Sequence, residues 1–121
     1  MTINELFNAF TDIEFQANRL IKMKVIDEQH LRQFDERSEE VRVQVLKLDL
    51  SEALNEELSE LGRIDCDFMP PIHFGHKVLN VLTFGFYKKR YISKEREIYF
   101  KGEINVRKQL FHHAENQLKE I

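Results

Sequence analysis

Residues 27–48 read DEQHLRQFDERSEEVRVQVLKL, and the spacing of their apolar positions decides the fold class. Leu31, Phe34, Ser38, Val41, Val45 and Leu48 follow at steps of three and four, the repeat that lines one face of an α-helix. Asp35, Glu36, Arg37, Glu39, Glu40 and Arg42 decorate the other faces, and Asp27 is a natural N-cap. Barely three heptads are short for a free coiled coil. An antiparallel partner inside the same chain is therefore expected, with dimerisation through the seam as the alternative.

That partner lies just upstream. Thr2 and Glu5 have the spacing of a capping box, and Leu6, Phe10, Ile13, Ala17 and Leu20 form a second apolar stripe. Lys22 and Lys24 near its end suit the negative pole of the helix dipole. Downstream, Ser51 is placed to cap a shorter helix carrying Ala53, Leu54, Leu58 and Leu61, and Gly62 to end it. The one clear break is Asp65 to Gly75, DCDFMPPIHFG. Its Pro70-Pro71 pair removes two donors and forces an extended path, while its Phe, Met and Ile predict a packed loop rather than a free one.

Beyond the break the pattern is mixed. Val78, Leu79 and Leu82 fit a helix over 76–90, whereas Leu82, Phe84 and Phe86 alternate as a strand would. Ser93 reads as a further cap and Gly102 as an interruption. A last helix from about Glu103 then turns Val106, Leu110, Phe111, Ala114, Leu118 and Ile121 inward. The expected fold is mainly α, a small bundle of five or six helices, with one short β-hairpin within 78–100 as the alternative there. One domain spans 1–121. It divides into an acidic helical unit (1–62), a packed Pro-containing loop (65–75) and a basic aromatic helical unit (76–121).

Composition agrees with a single folded domain. The 121 residues are 42% hydrophobic and 32% charged, too apolar for an intrinsically disordered segment, and four Gly and two Pro exclude a low-complexity chain. A single Cys cannot form an internal disulfide. The opening MTINELFNAF lacks a basic stretch followed by an apolar core, so no secretory leader is expected. The longest nearly apolar run, Val78 to Tyr87, is about half of what a membrane-spanning helix needs. A soluble cytoplasmic protein is the expectation. Charge is divided: residues 1–69 hold 8 Lys and Arg against 16 Asp and Glu, residues 70–121 hold 10 against 5. Either the basic half meets an anionic partner, or the two halves fold together and neutralise one another.

Three sets of residues are candidate sites. The basic, aromatic-interleaved stretch Lys88, Lys89, Arg90, Lys94, Arg96, Arg107 and Lys108 has the residue types that displace counterions from phosphates. The whole-chain pI of about 6.0 is far below that of a committed nucleic-acid binder. Arg107 and His112 are a catalytic candidate, the His as general acid/base and the Arg stabilising charge on a phosphodiester. Cys66, His73 and His76 offer three of the four ligands that zinc takes. No Gly-rich phosphate loop fits glycines at 62, 75, 85 and 102, so no cofactor is implied.

Two resemblances attach to these residues. The Arg107-to-His112 spacing on a late helix resembles the HEPN ribonucleases, all-helical domains that often dimerise so that two such motifs meet. It implies Arg107 with His112 or His113 as the catalytic pair. Separately, Tyr91 to Ile121, with Glu97-Ile98-Tyr99-Phe100-Lys101 followed by Leu110, Phe111, His112 and His113, resembles part of the RteC regulators of conjugative transposons. It lacks the Lys-Pro that normally follows and the C-terminal region to which DNA binding is attributed. The resemblance implies a helical regulatory or assembly domain. The leading expectation is a non-enzymatic interaction module. A protein partner or self-association comes first and nucleic acid second, with no membrane and no small-molecule substrate.

Overall fold

The computed structural model describes residues 1–71 and 86–120, and among them are four helices and no strand. They are α1 (Ile3–Ile21), α2 (Glu28–Leu48), α3 (Glu52–Glu60) and α4 (Phe86–Lys119). Each of the first three begins where its cap was expected. Thr2 Oγ1 accepts from Glu5 N (3.2 Å) while Thr2 N donates to Glu5 Oε2 (3.3 Å), a complete capping box. Asp27 Oδ1 accepts from Gln29 N (2.9 Å), and Ser51 Oγ accepts from Leu54 N (3.2 Å).

α1 packs against both α2 and α4, and α3 touches α2 and α4. One core therefore joins the acidic and basic parts of the chain. The stripe of α1 is wholly buried, with Ala9 added to it, and Leu31, Phe34, Ser38, Val41 and Val45 of α2 are buried opposite. Leu48 is exposed, because the helix ends there with Asp49 in the left-handed region (φ 51°). α3 ends when Leu61 turns extended, at ψ 104°, so Gly62 supplies no left-handed cap.

The expectation of five or six helices is corrected in its C-terminal part. α4 runs through Ser93 and Gly102 as one helix of 34 residues, roughly 51 Å long. The hairpin alternative fails over 86–100, which is helical, because the two-residue alternation does not continue past Phe86; residues 78–85 lie outside the described residues. Gly102 does not break the helix for a physical reason. A glycine in a helix costs only about 1 kcal/mol relative to alanine. The face of α4 that carries Phe100, Ile104, Phe111, Ala114 and Leu118 is buried in the common core, and packing of that kind dominates helix stability. Pairs one turn apart, Glu97–Lys101 (2.6 Å), Glu103–Arg107 (2.7 Å) and Glu115–Lys119 (3.0 Å), add to it.

The buried seam of α4 is Phe100, Ile104, Arg107, Phe111, Ala114 and Leu118, in steps of four and three, with Leu110 beside it. Val106, expected to face inward, is 46% exposed, and Arg107 at 2% exposure takes the inward position. Its Nη1 donates to the Glu103 carbonyl (3.1 Å) and to Glu103 Oε2 (2.7 Å), and its Nη2 donates to the Gly62 carbonyl. The arginine thus pins the chain leaving α3 to α4. Of the loop expected to pack over 65–75, residues 72–75 lie outside the described residues, and in the described part Met69 is 57% exposed while its neighbours make contacts. Phe68 stacks on Tyr99 at 4.1 Å between centroids, Tyr99 Oη accepts from Asp65 N (3.1 Å), and Pro70 is buried.

Gly102→Ala should raise stability by about 0.5–1 kcal/mol, since nothing lies within 4 Å of the position its Cβ would take. Arg107→Met should lower it by about 1–3 kcal/mol, by leaving the Gly62 carbonyl without its donor. Urea-melt midpoints of the two variants against wild type check both signs.

Candidate functional site

α4 divides the basic set expected from sequence. Successive residues turn by about 100° around a helix, so Lys88, Lys89 and Arg90 point in three directions. Lys89 and Arg96 share the side that faces the turn between α1 and α2. Arg90 and Lys94 lie on the adjoining flank, on a row that continues to Lys101 and Lys108. Lys101 is held by Glu97, and Lys108 Nζ donates to Asn18 Oδ1 of α1 (2.6 Å). Arg107 leaves the set altogether, because it is spent inside the fold. Lys89, Arg90 and Lys94 are exposed and have no ion pair among the described residues.

The start of α4 and the α1–α2 turn enclose a groove of about 320 Å³. Val25, Ile26, Ile92 and Phe100 supply apolar surface; Lys24, Lys89, Arg96, Glu28 and Glu97 supply charge. Both carboxylates are already committed, Glu28 to Arg32 (2.7 Å) and Glu97 to Lys101 (2.6 Å). Arg96 is committed too: its Nη2 donates to the Cys66 carbonyl (3.2 Å) and its guanidinium lies 5.2 Å from the Phe100 ring centroid. Lys24 and Lys89 have no such partner, so the unmatched charge at this groove is positive. Sequence reasoning missed the wall formed by Lys24, Val25 and Ile26. The available signal was an apolar pair inside a turn, beside a lysine, where polar residues are the rule.

The catalytic candidates are not brought together. Arg107 points into the core with its guanidinium bonded, while His112 is exposed at a different groove. Positions five apart differ by about 140° around the helix, and burial of one side chain separates them further. That other groove, about 270 Å³ between α1 and α4, is floored by Phe10, Ile13 and Phe111 and edged by Glu14, Lys108, His112 and Glu115. Among the described residues no three His, Cys, Asp or Glu side chains are placed to hold a metal ion. His73 and His76 of the zinc candidate lie outside the described residues. Cys66 is buried, and burial, with Asp35 nearby, pushes its thiol above the usual range.

No helix among the described residues is long and apolar enough to cross a membrane. Compared with protein-family models, curated proteins and solved structures, the chain matches none.

Because the folded state holds the Cys66 proton more tightly than an exposed cysteine would, native thiol labelling should be slow at neutral pH. It should speed up only above the ordinary thiol range, or at once when the chain is denatured. Labelling time courses over a pH series, with and without denaturant, test this.

Proposed function

We propose that this chain is a small, non-enzymatic helical binding module that docks an anionic stretch of another macromolecule on the basic groove at the start of α4. The observation that carries the reading is the charge balance there: Glu28, Glu97 and Arg96 each have a partner within the chain, while Lys24 and Lys89 stand unpaired beside apolar surface, with Arg90 and Lys94 adjoining. A protein partner ranks ahead of nucleic acid. Val25, Ile26 and Ile92 offer contact area that a sugar-phosphate backbone does not use, whereas an acidic amphipathic segment uses both floor and rim. The aromatics near the groove also serve the fold: Tyr99 stacks on Phe68, and Tyr91 Oη donates to the Pro71 carbonyl (3.3 Å). Tyr91 and Tyr99, so engaged, support a protein partner ahead of stacked bases. The stretch that resembles the RteC regulators falls on α4, and a regulatory or assembly role fits such a module.

The test is a salt titration of binding to an acidic amphipathic peptide, to single-stranded RNA and to duplex DNA. Peptide affinity should rise as salt falls, and K89E/K94E should weaken it about tenfold or more. Absence of any binding at low ionic strength, or peptide binding indifferent to K89E/K94E, overturns the reading. Tighter binding of RNA or DNA than of peptide reverses the order of partners.

A further inference from the structure

A third groove, opposite in charge to the basic one, lies further along α4. α3 and the middle of α4 enclose about 530 Å³ floored by Leu61, Val106 and Leu110 and edged by Glu57, Glu60, Gln109 and His113. Val106 stands half exposed in that floor, and Glu57 and Glu60 have no ion pair among the described residues. The basic groove and this one use residues 89–100 and 106–113 of α4, so their centres are about 20 Å apart along the helix. Between α1 and α2, Val25 is 80% exposed, the most exposed large apolar side chain among the described residues, and Lys24 is exposed next to it.

We infer that the α3–α4 groove receives the Lys24–Val25 turn of a second copy of this chain. Val25 covers the apolar floor around Val106, and Lys24 meets Glu57 and Glu60. The inference rests on the reading of the basic groove as a docking surface, because Lys24 and Val25 form one wall of that groove. It names the acidic partner as the chain's own α3 face. Charge complementarity supports a copy of this chain as the occupant: an unpaired cation beside a protruding apolar side chain on one patch matches an unpaired carboxylate pair around an apolar floor on the other. The two patches differ, so the contact is heterologous, and copies join head to tail. Lys24 cannot serve two partners at once, so an external anionic segment and a neighbouring copy compete.

Sedimentation velocity over a concentration series at low and high salt provides the test. Wild type should associate at low salt and return to monomer at high salt. V25E and E57K/E60K should each stay monomeric. A mixture of K24E with E57K/E60K should associate although neither does alone, because the charges are exchanged between the two patches. A monomeric wild type at low salt, association unaffected by V25E or E57K/E60K, or failure of the mixture to associate overturns the inference. Acidic-peptide binding measured in parallel separates the two readings. A monomeric wild type that still binds peptide sinks self-association alone, and a wild type that binds no peptide sinks the docking surface itself.

Discussion

One guanidinium in the seam of α4 ties that helix to the chain leaving α3. Taking an arginine out of water costs several kcal/mol unless its donors find partners. Arg107 finds them on Glu103, one turn before it, and on the carbonyl of Gly62. Sliding α4 by one residue would bury the charge without the Gly62 acceptor, and rotating it by one position would carry Arg107 out of the seam and away from that acceptor. The polar contact and the apolar seam thus select the same register of the long helix against α3. Phe100, Ile104, Phe111, Ala114 and Leu118 fall inward in the same register as Arg107. The same register brings Lys89 and Arg96 to the α1–α2 turn and leaves Val106 in solvent.

The N-terminal part of this arrangement was legible in the sequence. Thr2, Asp27 and Ser51 announce their helices by side-chain chemistry that acts within three residues, and the stripes of α1 and α2 are apolar at nearly every buried position. α4 was not legible in the same way. Its seam has an arginine at the centre, so a search for oily repeats slips by one residue and selects Val106. Ser93 and Gly102 carry local signals for a cap and a break that tertiary packing overrides. Asp35 was read as a surface residue for a similar reason. It is buried because it accepts from Ile64 N (3.0 Å) and Arg63 Nε (2.9 Å), partners 28 and 29 residues away that no local pattern announces. As for the candidate site, the sequence pointed to Lys89 as a surface cation but not to the turn that faces it, since the groove exists only once α4 lies against α1 and α2.

The division of charge along the chain takes on a spatial meaning in the fold. The two parts do share a core, yet they do not fully neutralise one another. Many of the ion pairs, such as Arg37–Glu40, Arg42–Glu39 and Lys101–Glu97, join residues three or four apart on one helix. Pairing of this kind consumes charge within each element. It leaves the unmatched carboxylates of α3 and the unmatched cations at the start of α4 at separate places on the surface.

The Gly62 end of the arginine contact has an evolutionary consequence. The acceptor is a main-chain oxygen, which every amino acid carries, and open space surrounds the place a side chain at 62 would fill. Position 62 is thus free to drift while position 107 is not. Statistical coupling between aligned relatives would pass over this pair, although it joins two segments 45 residues apart.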